Sequence, residues 1–383
     1  NSDRIFVGGV SGGLFVSEDG SGTWTQLEDF ANNGFSSAII ASMAQAPNGD
    51  IYVGTGSNFD GVANVLSILF PGKGIFVSRD GGNSFQSLPS TFPTNLNTTS
   101  EVWNTVNRIA INQTTGRIYA ATNRGLQMSD DDGATWINPV YLDPNQTVPA
   151  TGVCHDVVVA DNGAVLTVIG GSTFRSDNGN DQSFTNVTAN GLGVATRVVL
   201  SIAPSNNDIV YALTSAAGAF GGLYRSQDNG RSWSQQLRLE SFESGDPMGG
   251  QGVYNLALGV SPNNPDKVLI GGVQLWRWDG NLTRIALEGV NPLDPRYVHA
   301  DKHVFTWDPN NPNIVYIGSD GGVTKSVNDA ASFLTVNKGL ITTQFYGISQ
   351  ADFGGQEVVI GGTQDNGTWL LTGDNPNDPL FGQ

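Results

Sequence analysis

The stretch Ser226-Gln-Asp-Asn-Gly-Arg-Ser-Trp233 shows the pattern that decides the fold of this chain. It follows a short apolar segment and contains a serine, an aspartate two residues later, a glycine, a second hydroxyl residue and an aromatic residue. The aspartate of such a turn can accept hydrogen bonds from backbone N–H groups farther along, and the glycine can adopt a positive φ. The stretch therefore predicts a tight turn between two short strands, which we call the Asp-turn.

The Asp-turn occurs six times along the 383 residues. The serines that open it are about 50 residues apart, except for one interval of about twice that length, and such a period is typical of repeat architectures. Four complete copies contain the pairs Asp19/Trp24, Asp80/Phe85, Asp131/Trp136 and Asp228/Trp233, and two degenerate copies span 176–184 and 326–333. We interpret the aspartates as structural and the aromatic residues as packing between repeats.

Each repeat carries signals for four short strands, the composition of a β-propeller blade. The predicted fold is all-β, one propeller domain over 1–383 with about seven to eight four-stranded blades. The predicted blades are 1–30, 42–90, 106–140, 155–188, 197–238, 254–288, 302–337 and 345–373. The first shows only outer strands and the last only inner strands. Two alternatives follow: an irregularly closed ring, or a piece of a longer chain whose propeller has up to about ten blades.

The composition favours short strands and turns over helices, because 50 glycines and 17 prolines accompany only 14% charged residues. The net charge of −17 repels phosphate backbones, which argues against nucleic-acid binding. No apolar run reaches the roughly 18 residues that predict a membrane span. Cys154 is the only cysteine, so no internal disulfide can form.

The Asp-turns resemble the Asp-box repeat of bacterial neuraminidases. Four further motifs are similar to those of sortilin-type and xyloglucan-hydrolase-like propellers in large secreted bacterial surface proteins: His299-Ala-Asp-Lys-His303, Gly318-Ser-Asp-Gly-Gly322, Thr343-Gln-Phe-Tyr-Gly347 and Gly361-Gly-Thr-Gln-Asp-Asn-Gly367. The resemblance implies a secreted or cell-surface protein with a polysaccharide or protein ligand. It also implies further domains of the same polypeptide, or a surface assembly, as partners.

Propeller connectivity predicts which end of the ring binds a ligand. The Asp-turns and the turns between first and second strands lie at one end, and the blade connections and the turns between second and third strands lie at the other. Unusual polar residues map to the second end, namely His155, His299, Asp301, His303, Asp320, Gln364 and Asp365. Loops that a rigid scaffold holds in place are the usual binding surface, so we predict ligand binding there.

The segment from His299 to His303 is the predicted metal site. Alternate residues of an extended segment point the same way, so His299, Asp301 and His303 can share a face. Two imidazoles and a carboxylate suit Zn²⁺, whereas Ca²⁺ held by aspartates and backbone carbonyls is a second possibility. The alternative is that these side chains hydrogen-bond neighbouring loops at the axis.

Catalysis would need carboxylates rather than a metal. A glycosidase uses two of them about 5 to 10 Å apart, and Asp301, Asp320 and Asp365 are the candidates. Trp103, Trp276 and Trp278 could stack on sugars or pack between blades.

The sequence favours a non-enzymatic role, that of a secreted or cell-surface binding or scaffold module, adhesin-like in character. The first alternative is a glycoside hydrolase of xyloglucanase-like type that uses a pair of aspartates. The second is a structural repeat of a surface fibre. No cofactor beyond the candidate Zn²⁺ or Ca²⁺ is predicted.

Overall fold

The computed structural model describes residues 3–10, 12–27, 39–59, 71–95, 101–143, 146–149, 151–353 and 356–372. Parts of the predicted blades (1–2, 11, 28–30, 60–70, 354–355 and 373) lie outside the described residues. Within the described ranges, 31 strands form eight sheets, and none of the helices is long and apolar enough to cross a membrane.

The strands follow one another within each sheet in chain order. Sheet 1 contains β1 (Ile5–Gly9), β2 (Gly13–Ser17) and β3 (Thr25–Gln26), and sheet 2 contains β4 (Ile40–Gln45), β5 (Ile51–Thr55), β6 (Ile75–Ser78) and β7 (Gln86–Ser87). Sheet 3 contains β8 (Val106–Ile111), β9 (Ile118–Thr122) and β10 (Gly125–Ser129). Sheet 4 contains β13 (Cys154–Val159), β14 (Val165–Ile169), β15 (Ser172–Ser176) and β16 (Phe184–Asn186). The hairpin β11 (Val140–Asp143) and β12 (Gln146–Pro149) extends sheet 4, because β11 pairs in parallel with β16.

The second half of the chain repeats this order. Sheet 5 contains β17 (Arg197–Ala203), β18 (Asn206–Ala216), β19 (Ala219–Ser226) and β20 (Ser234–Leu237), and sheet 6 contains β21 (Ala257–Val260), β22 (Val268–Gly271), β23 (Leu275–Trp278) and β24 (Leu282–Arg284). Sheet 7 contains β25 (Lys302–Asp308), β26 (Asn311–Ser319), β27 (Gly322–Ser326) and β28 (Leu334–Thr335). Sheet 8 contains β29 (Phe345–Phe353), β30 (Gln356–Thr363) and β31 (Thr368–Thr372). Short 3₁₀ turns lie at Pro89–Thr91, Val102–Asn104 and Leu239–Ser241. Apart from β11–β16, the strand pairs are antiparallel, and the all-β propeller prediction is confirmed.

The middle strands of the sheets are short apolar runs. Ile51–Thr55, Ile118–Thr122 and Val165–Ile169 are buried at every residue. A continuous apolar run, rather than an alternating one, is typical of a strand that is covered on both faces. Each of these strands is covered on both faces because its sheet packs between two neighbouring sheets.

The first seven sheets form a ring. The innermost strands β4, β8, β13, β17, β21 and β25 contact one another in sequence. Sheets 1 and 7 are neighbours as well, since the Trp24 N–H donates to the Lys338 carbonyl at 2.8 Å and Lys325 Nζ donates to the Gly20 carbonyl at 2.9 Å. A ring of up to about ten blades would require these two sheets to be apart.

The Asp-turns join third and fourth strands, and their aspartates bind the turn itself. Asp228 accepts hydrogen bonds from Ser226 Oγ at 2.7 Å and from the Ser232 N–H at 2.9 Å, while Gly230 has φ of 81°. Trp233 is buried among the apolar residues of sheets 4 and 5. The sequence pattern thus fixes both the turn and the contact between adjacent sheets.

The same bonding occurs at the other complete Asp-turns. Hydrogen bonds from Ser17 and Thr23 lower the pKa of Asp19 to about 2, and bonds from Thr135 and Ser129 lower the pKa of Asp131 to about 2. Donors that bind the ionised carboxylate stabilise its charged form. These aspartates therefore stay ionised over almost the whole pH range in which proteins fold.

Candidate functional site

The candidate site lies at the end of the ring opposite the Asp-turns. We call it the site end; there the innermost strands begin and the second strand of each sheet turns into the third. Polar side chains from sheets 6, 7 and 8 meet at this end and bind one another directly. The connectivity of antiparallel strands brings them together, although they lie far apart in the sequence.

Asp320 occupies the centre of this group. It lies in the tight turn between β26 and β27, and the Tyr254 hydroxyl is 2.8 Å from each of its carboxylate oxygens. His303 Nε2 is 2.7 Å from the Oδ1 atom of Asp320, and the His303 ring meets the Tyr254 ring edge-on at 4.8 Å. Two rigid aromatic side chains thus fix the orientation of this carboxylate.

Asp301 lies beside Asp320 but is buried. Asn255 donates a short hydrogen bond to its Oδ1 atom. Burial raises the pKa of Asp301, and the negative charges of Asp320 and Asp365 act in the same direction. Because burial disfavours the ionised form, Asp301 holds a proton at higher pH than an ordinary aspartate does.

The turn between β30 and β31 completes the group from sheet 8. His299 Nε2 is 3.0 Å from the Asp365 carbonyl, and Asn366 Nδ2 donates to the Asp320 carbonyl at 3.1 Å. Gln364 Nε2 donates to the Asp365 carboxylate at 2.6 Å. These contacts bring together six of the seven predicted ligand-binding residues, all except His155. We call the six residues His299, Asp301, His303, Asp320, Gln364 and Asp365 the polar cluster.

His155 belongs to a second group, formed by sheets 2, 4 and 5. Its ring packs edge-on against Phe59 at 5.5 Å, and the Arg197 guanidinium lies over the same Phe59 ring at 4.3 Å. Burial, together with the charge of Arg197, lowers the pKa of His155 to about 4. Arg197 also donates to the Tyr254 carbonyl at 2.7 Å, so the two groups meet at Tyr254.

The predicted Zn²⁺ site is not formed by the described residues. Asp301 adopts a left-handed backbone conformation with φ of 57°, so the segment from His299 to His303 is not extended and its three side chains take different partners. Within the described ranges, no three His, Cys, Asp or Glu side chains are placed to hold a metal ion. Ca²⁺ bound through aspartates and backbone carbonyls stays a prediction.

A buried lysine, Lys302, lies between two residues of the polar cluster in the sequence. Lys302 is fully buried, and its Nζ atom donates to the Val273 carbonyl at 2.7 Å and lies 3.2 Å from a Glu288 oxygen. Burial lowers the pKa of Lys302 to about 8. Lys302, which lies between Asp301 and His303 in the sequence, thus links sheet 7 to sheet 6.

The three tryptophans considered for sugar stacking pack against other aromatic residues. Trp103 meets Trp136 edge-on at 4.9 Å, and Trp278 meets Tyr211 at 6.0 Å. Trp276 is buried. Their observed contacts correspond to the alternative of packing within the propeller.

Sequence reasoning missed two residues that hold the cluster, Tyr254 and Asn255. Both precede β21, in a connection without a recognisable motif. One signal was available, because a polar residue near the start of an innermost strand recurs at Asn107, Asn255 and His303. Alignment of the repeats by strand position, rather than by Asp-turn, would have found Asn255.

No protein-family model matches this sequence, and no curated protein matches it. The fold is similar to that of the GH74 xyloglucanase from Xanthomonas campestris, with a TM-score of 0.67 and 15% identity over 94% of this chain and 56% of that one. The BT4673 extracellular domain from B. thetaiotaomicron gives a TM-score of 0.59 and 15% identity over 99% of this chain and 46% of that one. An ancestral GH74 enzyme gives a TM-score of 0.54 and 18% identity over 97% of this chain and 53% of that one.

The chain thus spans about half the length of these three solved structures. Similarity at this level of identity shows a shared β-propeller fold. Function has to be argued from the site, because one fold supports many activities.

Proposed function

We propose that the site end of this propeller binds a polysaccharide. The observation that carries the proposal is the polar cluster, in which Asp320 is held by Tyr254 and His303 and the neighbouring Asp365 turn is held by His299. Carboxylates, imidazoles and amides are the groups that bind sugar hydroxyls. Groups whose orientation is fixed before binding lose less entropy when the ligand arrives.

The fold relationship favours a polysaccharide over a protein ligand. The structures with a similar fold include two GH74 enzymes, one of them named a xyloglucanase, and an extracellular domain. We infer on this basis that the chain acts outside the cell or at its surface, as a binding or scaffold module with further domains as partners. We also infer that the Asp-turns are Asp-box repeats.

Binding can be measured by isothermal titration with xyloglucan oligosaccharides and with an unrelated glucan. The wild-type chain is expected to bind at least one of them, and Asp320→Asn is expected to weaken binding about ten-fold or more. Asp308→Asn is the matched control, because Asp308 lies in the same sheet at the Asp-turn end and the new amide oxygen can still accept the Asn310 N–H. Wild-type chain that binds no polysaccharide would overturn the proposal.

A second candidate function is glycoside hydrolysis. It is favoured by two adjacent carboxylates in unlike environments, since Asp301 is buried with a raised pKa and Asp320 is held by Tyr254 and His303. Environments that differ in this way separate an acid from a base or nucleophile. Reducing-end release from xyloglucan that disappears in both Asp301→Asn and Asp320→Asn, but persists in Asp308→Asn, would establish hydrolysis; binding without any release would exclude it.

A further inference from the structure

Tyr346 is a large aromatic residue that projects into solvent. Its side chain is 78% exposed, whereas Tyr52, Tyr119 and Tyr211 are fully buried. It is the extra residue of a β-bulge, because the pairing of β29 with β30 skips from Phe345 to Gly347. Bulges re-aim side chains and are frequent beside functional sites.

The bulge lies at the site end, beside the polar cluster. Phe345 pairs with Thr363, the last residue of β30, and the Gln364 N–H donates to the Gln344 carbonyl at 2.9 Å. The residues that follow Thr363 are Gln364 and Asp365, both members of the cluster. Tyr346 is therefore two residues from Gln344, whose carbonyl accepts the backbone hydrogen bond from Gln364 of the polar cluster.

Phe345 gives the bulge a rigid base. Its ring lies over Gly361, where an added Cβ atom would be 2.5 Å from a ring carbon. Only glycine at this position leaves room for the ring. Phe345 itself is 47% exposed, so both aromatic residues of the bulge offer apolar surface to solvent.

We propose that Tyr346, supported by Phe345, is the platform on which one sugar ring of the polysaccharide stacks. The proposal rests on the proposed function and adds a binding residue and its ligand group. A pyranose has an apolar face of C–H groups and a rim of hydroxyls. Tyr346 matches the face, and the side chains of Gln364 and Asp365, at the same end of sheet 8, match the rim.

A protein partner fits this surface less well. The cores of protein interfaces are depleted in charged residues, whereas Phe345 pairs with Thr363, and the turn after Thr363 carries Asp365 and bonds to the Asp320 carbonyl. Exposed apolar residues continue along the same strand at Ile348, which is 64% exposed. Ile348 therefore offers a control that separates stacking by Tyr346 from general stickiness of the sheet.

The test is isothermal titration of wild type, Tyr346→Ala, Tyr346→Trp and Ile348→Ala with the polysaccharide oligomer that the wild type binds. Tyr346→Ala is expected to weaken binding about ten-fold or more, as truncation of a stacked aromatic residue does. Tyr346→Trp is expected to bind within about two-fold of wild type, since the platform is kept, and Ile348→Ala is expected to bind like wild type. Circular dichroism melting of all four checks that the fold is unchanged.

Wild-type binding that Tyr346→Ala leaves intact would overturn the stacking role and leave the proposed function standing. A wild-type chain that binds no polysaccharide would overturn both. Sedimentation that reveals a self-associated wild type, dispersed by Tyr346→Ala without loss of sugar affinity, would overturn the stacking role in favour of a contact between copies.

Discussion

The two ends of the ring use aspartate in opposite ways. At the Asp-turn end, Asp19 and Asp131 are exposed but bound by hydroxyl and backbone donors of their own turns, which lower each pKa to about 2. At the site end, Asp301 is buried beside other carboxylates, and its pKa is raised. Local donors thus favour the ionised form of an aspartate within its turn, whereas burial beside like charges favours the protonated form.

The largest expected effect is on the pH dependence of the free energy of unfolding, and it concerns the buried Lys302. Lys302 has a pKa of about 8 when folded, against 10.5 for an ordinary lysine. Between these pH values the unfolded chain holds a proton that the folded chain has released, so the free energy of unfolding rises with pH. Relative to Lys302→Met, the wild type is expected to gain about 3 kcal/mol from pH 8 to 10.5.

Urea unfolding of both proteins across this range measures the gain. Other groups that titrate there, such as tyrosines, are common to the two proteins and cancel in the difference. Parallel curves for wild type and variant would show that the folded chain tolerates the Lys302 charge, which would contradict the lowered pKa of this buried group.

The second effect concerns the Asp-turn end. Asp228→Ala removes the acceptor for Ser226 Oγ, the Ser232 N–H and Ser232 Oγ. It is expected to lower the free energy of unfolding by about 2 kcal/mol and to leave sugar binding unchanged. Chemical unfolding together with titration of the same sample checks both parts; weakened sugar binding without loss of stability would reverse the roles of the two ends.

The smallest effect has the opposite sign. Asp301 has a raised pKa, so the folded chain loses stability as pH rises from the ordinary aspartate value through the pKa of the folded state. Asp301→Asn removes that penalty, keeps an acceptor for Asn255 and suits the left-handed backbone. It is expected to raise stability at pH 7 by about 1 kcal/mol, and a loss of stability at pH 7 would contradict the account.

The sequence predicted the fold because the Asp-turn is local. Its serine, aspartate and glycine act within eight residues, and their recurrence marks the period of the repeat. The same connectivity predicted that Asp320, Asp365 and the histidines share one end. The zinc interpretation assumed an extended backbone, and the described residues do not bring its three ligands together because φ is positive at Asp301. A positive φ at an aspartate cannot be read from residue types alone.

Other features of the site depend on contacts between distant segments. Tyr254 and Asn255 reach Asp320 and Asp301 only because sheets 6 and 7 pack side by side. Tyr346 is exposed together with all of 343–352, and it also lies in a bulge, a feature with no strong sequence signal. The parallel pairing of β11 with β16 was equally invisible.

The comparison of the two ends is tested most directly by measuring stability and xyloglucan-oligosaccharide affinity together in Asp228→Ala and Asp320→Asn. The account predicts that Asp228→Ala loses stability and keeps its affinity, whereas Asp320→Asn loses affinity about ten-fold or more and keeps most of its stability. If Asp320→Asn binds like wild type while Asp228→Ala does not, the assignment of structure to one end and ligand binding to the other is contradicted.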